Sequence, residues 1–510
     1  MIRNSADFAT RLICPLVAGD ARQMRSDMAQ AADRGADAVE CRLDFLTAPP
    51  DAEQLAALLS SPPLEVIVTC RPAAEGGNFR GAEADRLELL NRAAACGADF
   101  IDVETNTPRD RRPNGKIICS HHDFQSVPAA LDRIAASMDA CEAAVNKIVF
   151  TAGGPEDALR ALDLLRACKK PTIALAMGEA GVASRVLAKK FGAFGTFAAL
   201  AAGAESAPGQ PTLDVFKTLY RWDSIDPETA VYGVIGSPVA HSMSPAIHNA
   251  AFEAAGINAV YVPLRIEPGA ENFSRFLDAV LARPWLNWRG LSVTIPHKEN
   301  ALAYLGAENC DEPARKIGAI NTITISPDGS FRGDNTDNTA AVNALSAAMG
   351  TGPNVLAGRK VALLGAGGVG RAIAAAMARY KADVTIFNRT LSRAKKLAEE
   401  FDCHAAPLDA AAKTDAEIVI NCTSVGMHPE TDATPLSKIP PSAKVVFDTI
   451  YNPLDTYLLQ QAKRAGCTTV SGLEMFVGQA AAQFEIWTAK PAPRNVMRKI
   501  VLDRLKKPHH

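Results

Sequence analysis

Residues 145–150 read Val-Asn-Lys-Ile-Val-Phe, a short apolar run that predicts a buried β-strand with one charged side chain, that of Lys147. Comparable runs recur along the first 200 residues, separated by alanine-rich segments whose apolar residues have helical spacing. The predicted strands are 12–17, 38–45, 64–71, 100–104, 116–124, 145–151, 171–177 and 195–200. Eight alternating strand and helix units in about 210–220 residues predict an α/β fold of the (β/α)8 TIM-barrel type.

Polar residues cluster at the C-terminal ends of these predicted strands, where barrel enzymes carry their active sites. A charged lysine in an apolar strand is costly unless it is paired, neutralised or used, and a neutral amine forms Schiff bases with ketones. His122 lies on the preceding predicted strand and is a candidate proton carrier. Together, Lys147 and His122 predict imine chemistry on a carbonyl substrate. The alternative for an isolated lysine of this kind is a strand-end side chain that reaches solvent.

Six motifs resemble those of type I 3-dehydroquinate dehydratases in order and spacing, and the resemblance covers roughly residues 8–220. The motifs are Glu40-x-Arg42-x-Asp44, Arg71-x-x-x-Glu75-Gly76-Gly77, Ser120-His121-His122-Asp123-Phe124, Lys147, Ser184-Arg185 and Ser206-Ala207-Pro208-Gly209-Gln210. One such motif would be weak support, whereas six in order are strong.

The resemblance implies that Lys147 forms an imine with the ketone of 3-dehydroquinate, and that His122 acts first as a base and then as an acid. It also implies that Glu75 orients His122. The implied substrate contacts are Glu40, Arg42 and Arg71 on the ring hydroxyls, Arg185 on the carboxylate, and Ser206 and Gln210 on a lid. For Arg42, an ion pair with Asp44 at the barrel rim is the alternative.

A second pattern begins in the other half of the chain, where a predicted strand at 360–364 runs into a glycine-rich turn and an alanine-rich helix. The turn reads Gly365-Ala366-Gly367-Gly368-Val369-Gly370. A GxGxxG sequence between a strand and a helix predicts a dinucleotide site, because the glycines let a pyrophosphate approach the helix N-terminus.

The end of the next predicted strand indicates which dinucleotide binds. NAD-binding proteins carry an acidic residue about 20 residues after the glycines, for the ribose 2′-hydroxyl. This chain has Asn388 there, followed by Arg389, Thr390 and, a little further on, Arg393. Two cations without a carboxylate predict a 2′-phosphate, and therefore NADP(H). The alternative is a cationic helix start on the surface with no ligand.

The motifs at 236–245, 293–298, 318–322, 335–337 and 472–479 resemble those of shikimate dehydrogenases, over roughly residues 231–505. The resemblance implies that Lys298 and Asp337 form a catalytic pair that stabilises or protonates the developing alkoxide. The implied substrate contacts are Ser242, Ser244, Thr294, Asn321, Tyr451 and Gln479. Beyond the glycine loop and the 388–393 segment, the implied cofactor contacts are Thr423, Ser424, Met427, Gly472 and Met475.

Length and composition limit the possible architectures and partners. A chain of 510 residues exceeds the size of a single core, roughly 250–300 residues, so several domains are expected. We expect a barrel at 1–222, a substrate domain at 230–338 to which 470–510 return, and a Rossmann NADP-binding domain at 339–469. The net charge of −2 argues against nucleic acid, and no apolar run predicts a membrane span. Eleven scattered cysteines without metal-ligand spacing favour a cytoplasmic protein without a metal.

The two halves together resemble the bifunctional dehydroquinate dehydratase–shikimate dehydrogenase proteins. The sequence therefore predicts dehydration of 3-dehydroquinate to 3-dehydroshikimate, followed by NADPH-dependent reduction to shikimate. One alternative is a dehydrogenase half that oxidises quinate or shikimate, with NAD. Another is a metabolite sensor that has lost catalysis, against which the presence of Lys147, His122, Lys298 and Asp337 argues.

Overall fold

The computed structural model describes residues 9–240, 242–350 and 352–506, so His241, His509 and His510 lie outside the described residues. Within 9–240, eight parallel strands follow one another around a barrel in the order β7-β6-β5-β4-β3-β2-β1-β8. The strands are β1 (Arg11–Leu16), β2 (Ala38–Arg42), β3 (Glu65–Thr69), β4 (Phe100–Glu104), β5 (Ile117–Asp123), β6 (Val145–Thr151), β7 (Thr172–Met177) and β8 (Gly195–Phe197). The Phe194 N–H donates to the Thr172 carbonyl (2.9 Å) and joins the two ends of the sheet. The predicted TIM barrel is confirmed.

Helices cover the outside of the barrel, and side chains cap the N-termini of the first two. The helices are α1 (Ala21–Asp33), α2 (Ala52–Leu59), α3 (Glu83–Ala95), α4 (Leu131–Ala140), α5 (Pro155–Ala167) and α6 (Val182–Val186). Asp20 caps α1, and Asp51 with Gln54 forms a capping box on α2. After β8 the chain makes one π-helical turn, Val215–Leu219, and buries Trp222 against Phe216 (5.4 Å between ring centroids).

A second, mixed sheet follows, with the strand order β10-β9-β11-β12-β13. Its strands are β9 (Ala230–Gly236), β10 (Ala259–Arg265), β11 (Trp288–Val293), β12 (Thr322–Ile325) and β13 (Phe331–Asp334). Strands β10, β9 and β11 are parallel, β12 is antiparallel to β11, and β13 is antiparallel to β12. Its helices are α7 (Ser244–Ala254), α8 (Ala270–Leu281), α9 (Lys298–Leu305) and α10 (Glu312–Ile317).

The third sheet is parallel throughout and has the order β16-β15-β14-β17-β18-β19. Its strands are β14 (Lys360–Leu364), β15 (Asp383–Asn388), β16 (His404–Pro407), β17 (Ile418–Asn421), β18 (Val445–Asp448) and β19 (Thr468–Val470). The accompanying helices are α11 (Asp337–Ala348), α12 (Gly368–Arg379), α13 (Leu391–Phe401) and α14 (Tyr457–Arg464). The strand order reverses between β14 and β17, which is where open α/β sheets bind ligands.

The end of the chain returns to the second sheet through α15 (Gly472–Thr488) and α16 (Arg494–Leu505). The Trp487 indole N–H donates to the Ile323 carbonyl (3.1 Å), and Phe484 packs against Phe252. Among the described residues, we find no helix with the length and hydropathy that crossing a bilayer requires.

Candidate active sites

One cavity opens at the C-terminal ends of the barrel strands. The nine residues predicted for a dehydratase site all line it: Glu40, Arg42, Arg71, Glu75, His122, Lys147, Arg185, Ser206 and Gln210. Other parts of the wall are apolar, formed by Phe124, Val149, Leu175, Met177, Phe197 and Ala207. The barrel topology therefore brings together residues that are up to 170 positions apart in the sequence.

Lys147 lies on β6 and is only 5% exposed. Its Nζ donates to Glu40 Oε1 and to Asp102 Oδ2, both at 2.9 Å, and lies 4.6 Å from the centroid of the Phe197 ring. The lysine is therefore buried and in contact with two carboxylates, and it is not a strand-end side chain in solvent. Glu40 also accepts from Thr69 Oγ1 (2.9 Å), so both of its described contacts are to the protein; its contact with a substrate hydroxyl stays a prediction.

Asp102 is a central member of the site that the sequence reasoning missed. It is completely buried on β4 and also accepts from Arg71 Nη2 (2.8 Å) and from Ser120 Oγ (2.7 Å). Burial opposes its ionisation, but the charges of Arg71 and Lys147 hold the pKa of Asp102 well below its ordinary value. The missed signal was the spacing of Asp102 and Glu104, because residues two apart on a barrel strand point to the same side.

Arg71 and Arg42 both have their guanidinium groups occupied by carboxylates. Arg71 Nη1 donates to Glu104 Oε1 (2.6 Å), in addition to the Asp102 contact. Arg42 binds Asp44 through Nε and Nη2, at 2.9 and 2.8 Å. The ion-pair alternative for Arg42 is therefore present in the structure, although as a buried pair and not an exposed one at the rim. The predicted contacts of both arginines with substrate hydroxyls stay predictions.

Arg185 differs from these two arginines because no described carboxylate pairs with it. It lies on α6, is 1% exposed, and its Nε lacks a hydrogen-bond partner among the described residues. Burial lowers the pKa of Arg185 to about 10. A buried guanidinium without a counter-ion is costly, and its planar fork matches a carboxylate. The cavity wall therefore has a site suited to an anionic group.

His122 has the properties of a proton acceptor. Its ring stacks on Phe124 (5.9 Å between centroids), and its buried Nδ1 is unpartnered within the described part of the chain. Burial, together with the charges of Arg71 and Lys147, lowers the pKa of His122 well below 6.5, so the ring is neutral at neutral pH. Glu75 lines the same cavity, and burial raises its pKa, but no hydrogen bond joins it to His122 among the described atoms. The orienting role of Glu75 stays a prediction.

A second cleft lies between the mixed sheet and the parallel sheet of the other half. Lys298 and Asp337 line it, as do the six residues predicted to bind the second substrate: Ser242, Ser244, Thr294, Asn321, Tyr451 and Gln479. Four of the predicted cofactor residues also reach it, namely Val369, Met427, Gly472 and Met475. Substrate and dinucleotide groups can therefore meet in this cleft.

Lys298 and Asp337 form an ion pair at the ends of two helices. Lys298 begins α9, Asp337 begins α11, and the lysine Nζ donates to Asp337 Oδ2 (2.5 Å). Both side chains are mostly buried, at 13% and 8% exposure. The Asp337 N–H donates to Asn335 Oδ1 (3.1 Å), which fixes the start of α11. A lysine held in this way can deliver a proton or stabilise a negative charge.

Asn321 holds the segment that carries Asp337. Its Oδ1 accepts from the Thr336 N–H (2.9 Å), and its Nδ2 donates to Thr336 Oγ1 (2.9 Å). Gln483, which the sequence reasoning missed, lines the cleft, donates to the Asn321 carbonyl (3.0 Å) and accepts from Ser292 Oγ (2.8 Å). The available signal was its position four residues after Gln479, which places both on one face of α15.

The glycine-rich loop has the shape of a phosphate cradle. Gly365 has φ +106°, which favours glycine, and a Cβ on Gly370 would lie 2.3 Å from the Gly365 carbonyl oxygen. A Cβ on Gly367 would meet nothing within 4 Å, so the N-terminus of α12 faces open space. The Ala366 N–H is held by Asn388 Oδ1 (3.3 Å). These residues fit a pyrophosphate group.

The remaining predicted cofactor residues flank this loop. Arg389, Thr390 and Arg393 are exposed where β15 ends and α13 begins, and neither arginine forms an ion pair with a described carboxylate. Thr423 Oγ1 is anchored to Asn421 Oδ1 (2.7 Å), next to Gly365, and Ser424 is exposed beside it. Arg389 and Arg393 are therefore available to pair with the doubly charged 2′-phosphate of NADP(H).

A TIM barrel with a buried lysine, followed by a dinucleotide-binding unit with a lysine–aspartate cleft, defines an enzyme with two active sites. Family models agree: type I 3-dehydroquinase matches residues 12–227, and the shikimate dehydrogenase substrate-binding domain matches 234–323. Shikimate / quinate 5-dehydrogenase matches 348–448, and the shikimate 5′-dehydrogenase C-terminal domain matches 472–502. The chain belongs to the family of bifunctional 3-dehydroquinate dehydratase/shikimate dehydrogenases.

A relative that matches almost the entire chain establishes this family assignment. The chloroplastic bifunctional 3-dehydroquinate dehydratase/shikimate dehydrogenase of Arabidopsis thaliana is 38% identical over 518 residues, covering 96% of this chain and 84% of the relative. Shikimate dehydrogenase (NADP(+)) of Methanosarcina acetivorans is 42% identical over 285 residues, covering 54% and 98%. A crystal structure of shikimate dehydrogenase in complex with NADP+ is 37% identical with a TM-score of 0.50, covering 55% and 97%. Both resemblances inferred from the motifs are confirmed.

Proposed function

We propose that the barrel dehydrates 3-dehydroquinate to 3-dehydroshikimate, and that the second cleft reduces this product to shikimate with NADPH. The observation that carries the proposal is the shared cavity of Lys147 and the unpaired Arg185. A nucleophilic amine beside a vacant guanidinium suits a substrate with both a ketone and a carboxylate. The Lys298–Asp337 pair beside a dinucleotide loop supports the second step.

In the barrel, Arg185 binds the substrate carboxylate. Lys147 passes a proton to the neutral His122, and its free amine then attacks the ketone. His122 returns this proton to the carbinolamine hydroxyl, which leaves as water and gives the protonated imine. The iminium draws electrons from the adjacent carbon, whose proton passes to the neutral His122. Protonated His122 then returns that proton to the leaving hydroxyl, which departs as water. Hydrolysis of the imine releases the product and restores Lys147.

The carboxylates around Lys147 stabilise the positive charge throughout this sequence. Asp102 stays ionised because its pKa is held low, so it pairs with the cation and does not accept the proton. Glu40 contacts the same Nζ and adds a second negative charge. We assign the proton acceptor to His122, because its lowered pKa keeps the ring neutral and its Nδ1 is unpartnered among the described residues.

In the second cleft, Ser242 and Ser244 hold the substrate carboxylate, with Tyr451 close by, and Thr294, Asn321 and Gln479 contact the ring hydroxyls. Bound NADPH would supply the hydride. The groups that would hold it are the 365–370 loop, Asn388, Arg389, Thr390, Arg393, Thr423, Ser424, Met427, Gly472 and Met475. Lys298 delivers a proton to the oxygen that was the ketone, and Asp337 holds the lysine in place through their hydrogen bond.

We further propose that residues 1–222 carry the dehydratase, that 230–338 with 470–510 form the substrate domain, and that 339–469 form the NADP-binding domain. The return of α15 and α16 to the mixed sheet supports this division. A cytoplasmic location is supported by the 11 cysteines, which are scattered along the chain without metal-ligand spacing.

Borohydride trapping tests the imine. Borohydride reduces an imine to a stable secondary amine, so treatment in the presence of 3-dehydroquinate should add a substrate-derived mass to the peptide that contains Lys147. Lys147→Arg, which keeps the charge, should remain unlabelled, and so should wild type without substrate. Label on another lysine would contradict the mechanism.

The two free arginines predict the cofactor preference of the dehydrogenase. Arg389→Ala combined with Arg393→Ala should raise the KM for NADPH about tenfold or more and leave the KM for NADH almost unchanged, because only NADPH has the 2′-phosphate. Steady-state kinetics with both cofactors measure this. The matched control is Lys395→Ala with Lys396→Ala, which removes the same charge from exposed positions on the same helix. Equal losses with NADPH and NADH would contradict the assignment.

A further inference from the structure

The barrel and the dehydrogenase half are joined by acid–arginine pairs. Glu156 contacts Arg275 (2.6 Å), Asp163 contacts Arg283 (2.7 Å), and Glu179 contacts Arg265 (2.8 Å). The acids all belong to the barrel, and the arginines belong to α8, the segment after it, and the end of β10. The first two acids lie on α5, which does not line the barrel cavity, whereas Glu179 lies on the segment that leads directly into α6.

The Glu179 segment supports two parts of the barrel cavity. Six residues beyond Glu179 lies Arg185, the unpaired guanidinium, on a helix of five residues that packs against β10 of the dehydrogenase half. Gly178 immediately precedes Glu179, and its N–H donates to the Pro208 carbonyl (3.1 Å). A Cβ on Gly209 would lie 2.4 Å from the Gly178 carbonyl oxygen, so the two backbones are in direct contact.

The 206–210 loop that rests on Gly178 carries Ser206 and Gln210, which line the cavity. Within the barrel, Ser184 pins α6 to β7, because its hydroxyl accepts from the Ala176 N–H (3.0 Å) and donates to the Gly181 carbonyl (2.7 Å). On the side that faces the dehydrogenase half, the segment between β7 and α6 is held by the ion pair between Glu179 and Arg265.

We propose that Arg265, a residue of the dehydrogenase half, is a positioning residue for the dehydratase site. Through its ion pair with Glu179, Arg265 fixes the segment 178–181. This segment determines the position of Arg185 in the cavity wall and the position of the 206–210 loop, which packs against it. The docked dehydrogenase half thereby tunes the affinity of the barrel for the substrate carboxylate. This inference rests on the proposed dehydratase function of the barrel.

The test compares Arg265→Ala with Arg283→Ala in the full-length chain. Both substitutions remove an interdomain ion pair with an equally short contact, and the Arg283 side chain is the less exposed of the two arginines, at 19% against 43%. Arg265→Ala should raise the KM for 3-dehydroquinate about two- to fivefold with kcat nearly unchanged, a range set by the small free energy of a part-exposed pair. Arg283→Ala should leave that KM within error of wild type.

Two further variants separate positioning from general destabilisation. Arg265→Lys, which retains the charge, should restore most of the affinity. Glu179→Gln should reproduce the KM effect from the barrel side, and the double variant with Arg265→Ala should be no worse than either single one. The kinetic constants with 3-dehydroshikimate and NADPH should stay unchanged in every variant, which also reports correct folding.

An unchanged KM in Arg265→Ala, an equal rise in Arg283→Ala, or additive effects in the double variant would overturn the inference. If Arg265→Ala failed to fold, the KM of Glu179→Gln for 3-dehydroquinate would decide: a rise would support the inference, and an unchanged KM would overturn it. Wild-type turnover of 3-dehydroquinate tests the proposed function separately: an inactive wild-type barrel would overturn that function and this inference with it.

Discussion

Lys147→Ala should lower the kcat for dehydration of 3-dehydroquinate by at least about a thousandfold, because it removes the nucleophile and not just a binding contact. The reduction of added 3-dehydroshikimate by NADPH should be unaffected, since Lys298 and Asp337 lie in a separate cleft. Dehydration is measured by the ultraviolet absorbance of the conjugated product, and reduction by the loss of NADPH absorbance.

The companion variant is Lys147→Arg. Alanine leaves Glu40 and Asp102 as buried carboxylates that have lost a partner, which destabilises a barrel by about 3–5 kcal/mol. Arginine retains the positive charge but cannot form the imine, so it should be equally inactive and better folded. Dehydration by Lys147→Arg would contradict the mechanism, and loss of both activities in folded protein would contradict the independence of the two sites.

Asp337→Asn and Lys298→Ala should lower the kcat for reduction of 3-dehydroshikimate by about a hundred- to ten-thousandfold, the range expected when proton delivery is lost. Dehydration of 3-dehydroquinate should remain at the wild-type rate. Asparagine keeps the size of the side chain and its N–H contact with Asn335, and it removes the charge that holds the lysine.

Steady-state kinetics in the direction of reduction measure this effect, with the KM for 3-dehydroshikimate as a second readout. That KM should change much less than kcat, because the cleft retains its substrate contacts. The matched control is Asn343→Asp, an amide–acid exchange at an exposed position on the same helix. A normal kcat in Asp337→Asn would contradict the assigned proton source.

The sequence predicts most of this architecture because its signals are local. The barrel strands are short apolar runs at regular spacing, and β4 and β6 begin and end at the predicted residues. The glycine loop can be recognised for a similar reason: a GxGxxG sequence that follows a strand and runs into a helix has one main structural solution. Where the prediction overran, as with 195–200 against Gly195–Phe197, the residues that follow the strand are themselves apolar, so composition did not mark the end of the strand.

The missing parts of the site depend on contacts between distant segments. Asp102 reaches Lys147 across 45 positions and Arg71 across 31, and neither pairing can be read from residue types. The sequence does not distinguish Arg185 from Arg71, yet Arg185 lacks a carboxylate partner among the described residues and Arg71 contacts two carboxylates. The Glu179–Arg265 pair spans 86 positions and two halves of the chain, and it depends on how those halves dock.

The central claim is that one chain carries two working sites whose reactions follow in order. The most direct test adds 3-dehydroquinate alone to wild-type protein with NADPH and follows absorbance, with 3-dehydroshikimate as the parallel substrate. We expect NADPH to be consumed from both substrates, because the barrel supplies the substrate of the second cleft. Consumption from 3-dehydroshikimate only would mean that the barrel is inactive and would contradict the role of Lys147. An absence of consumption from either substrate, in folded protein, would contradict both assignments.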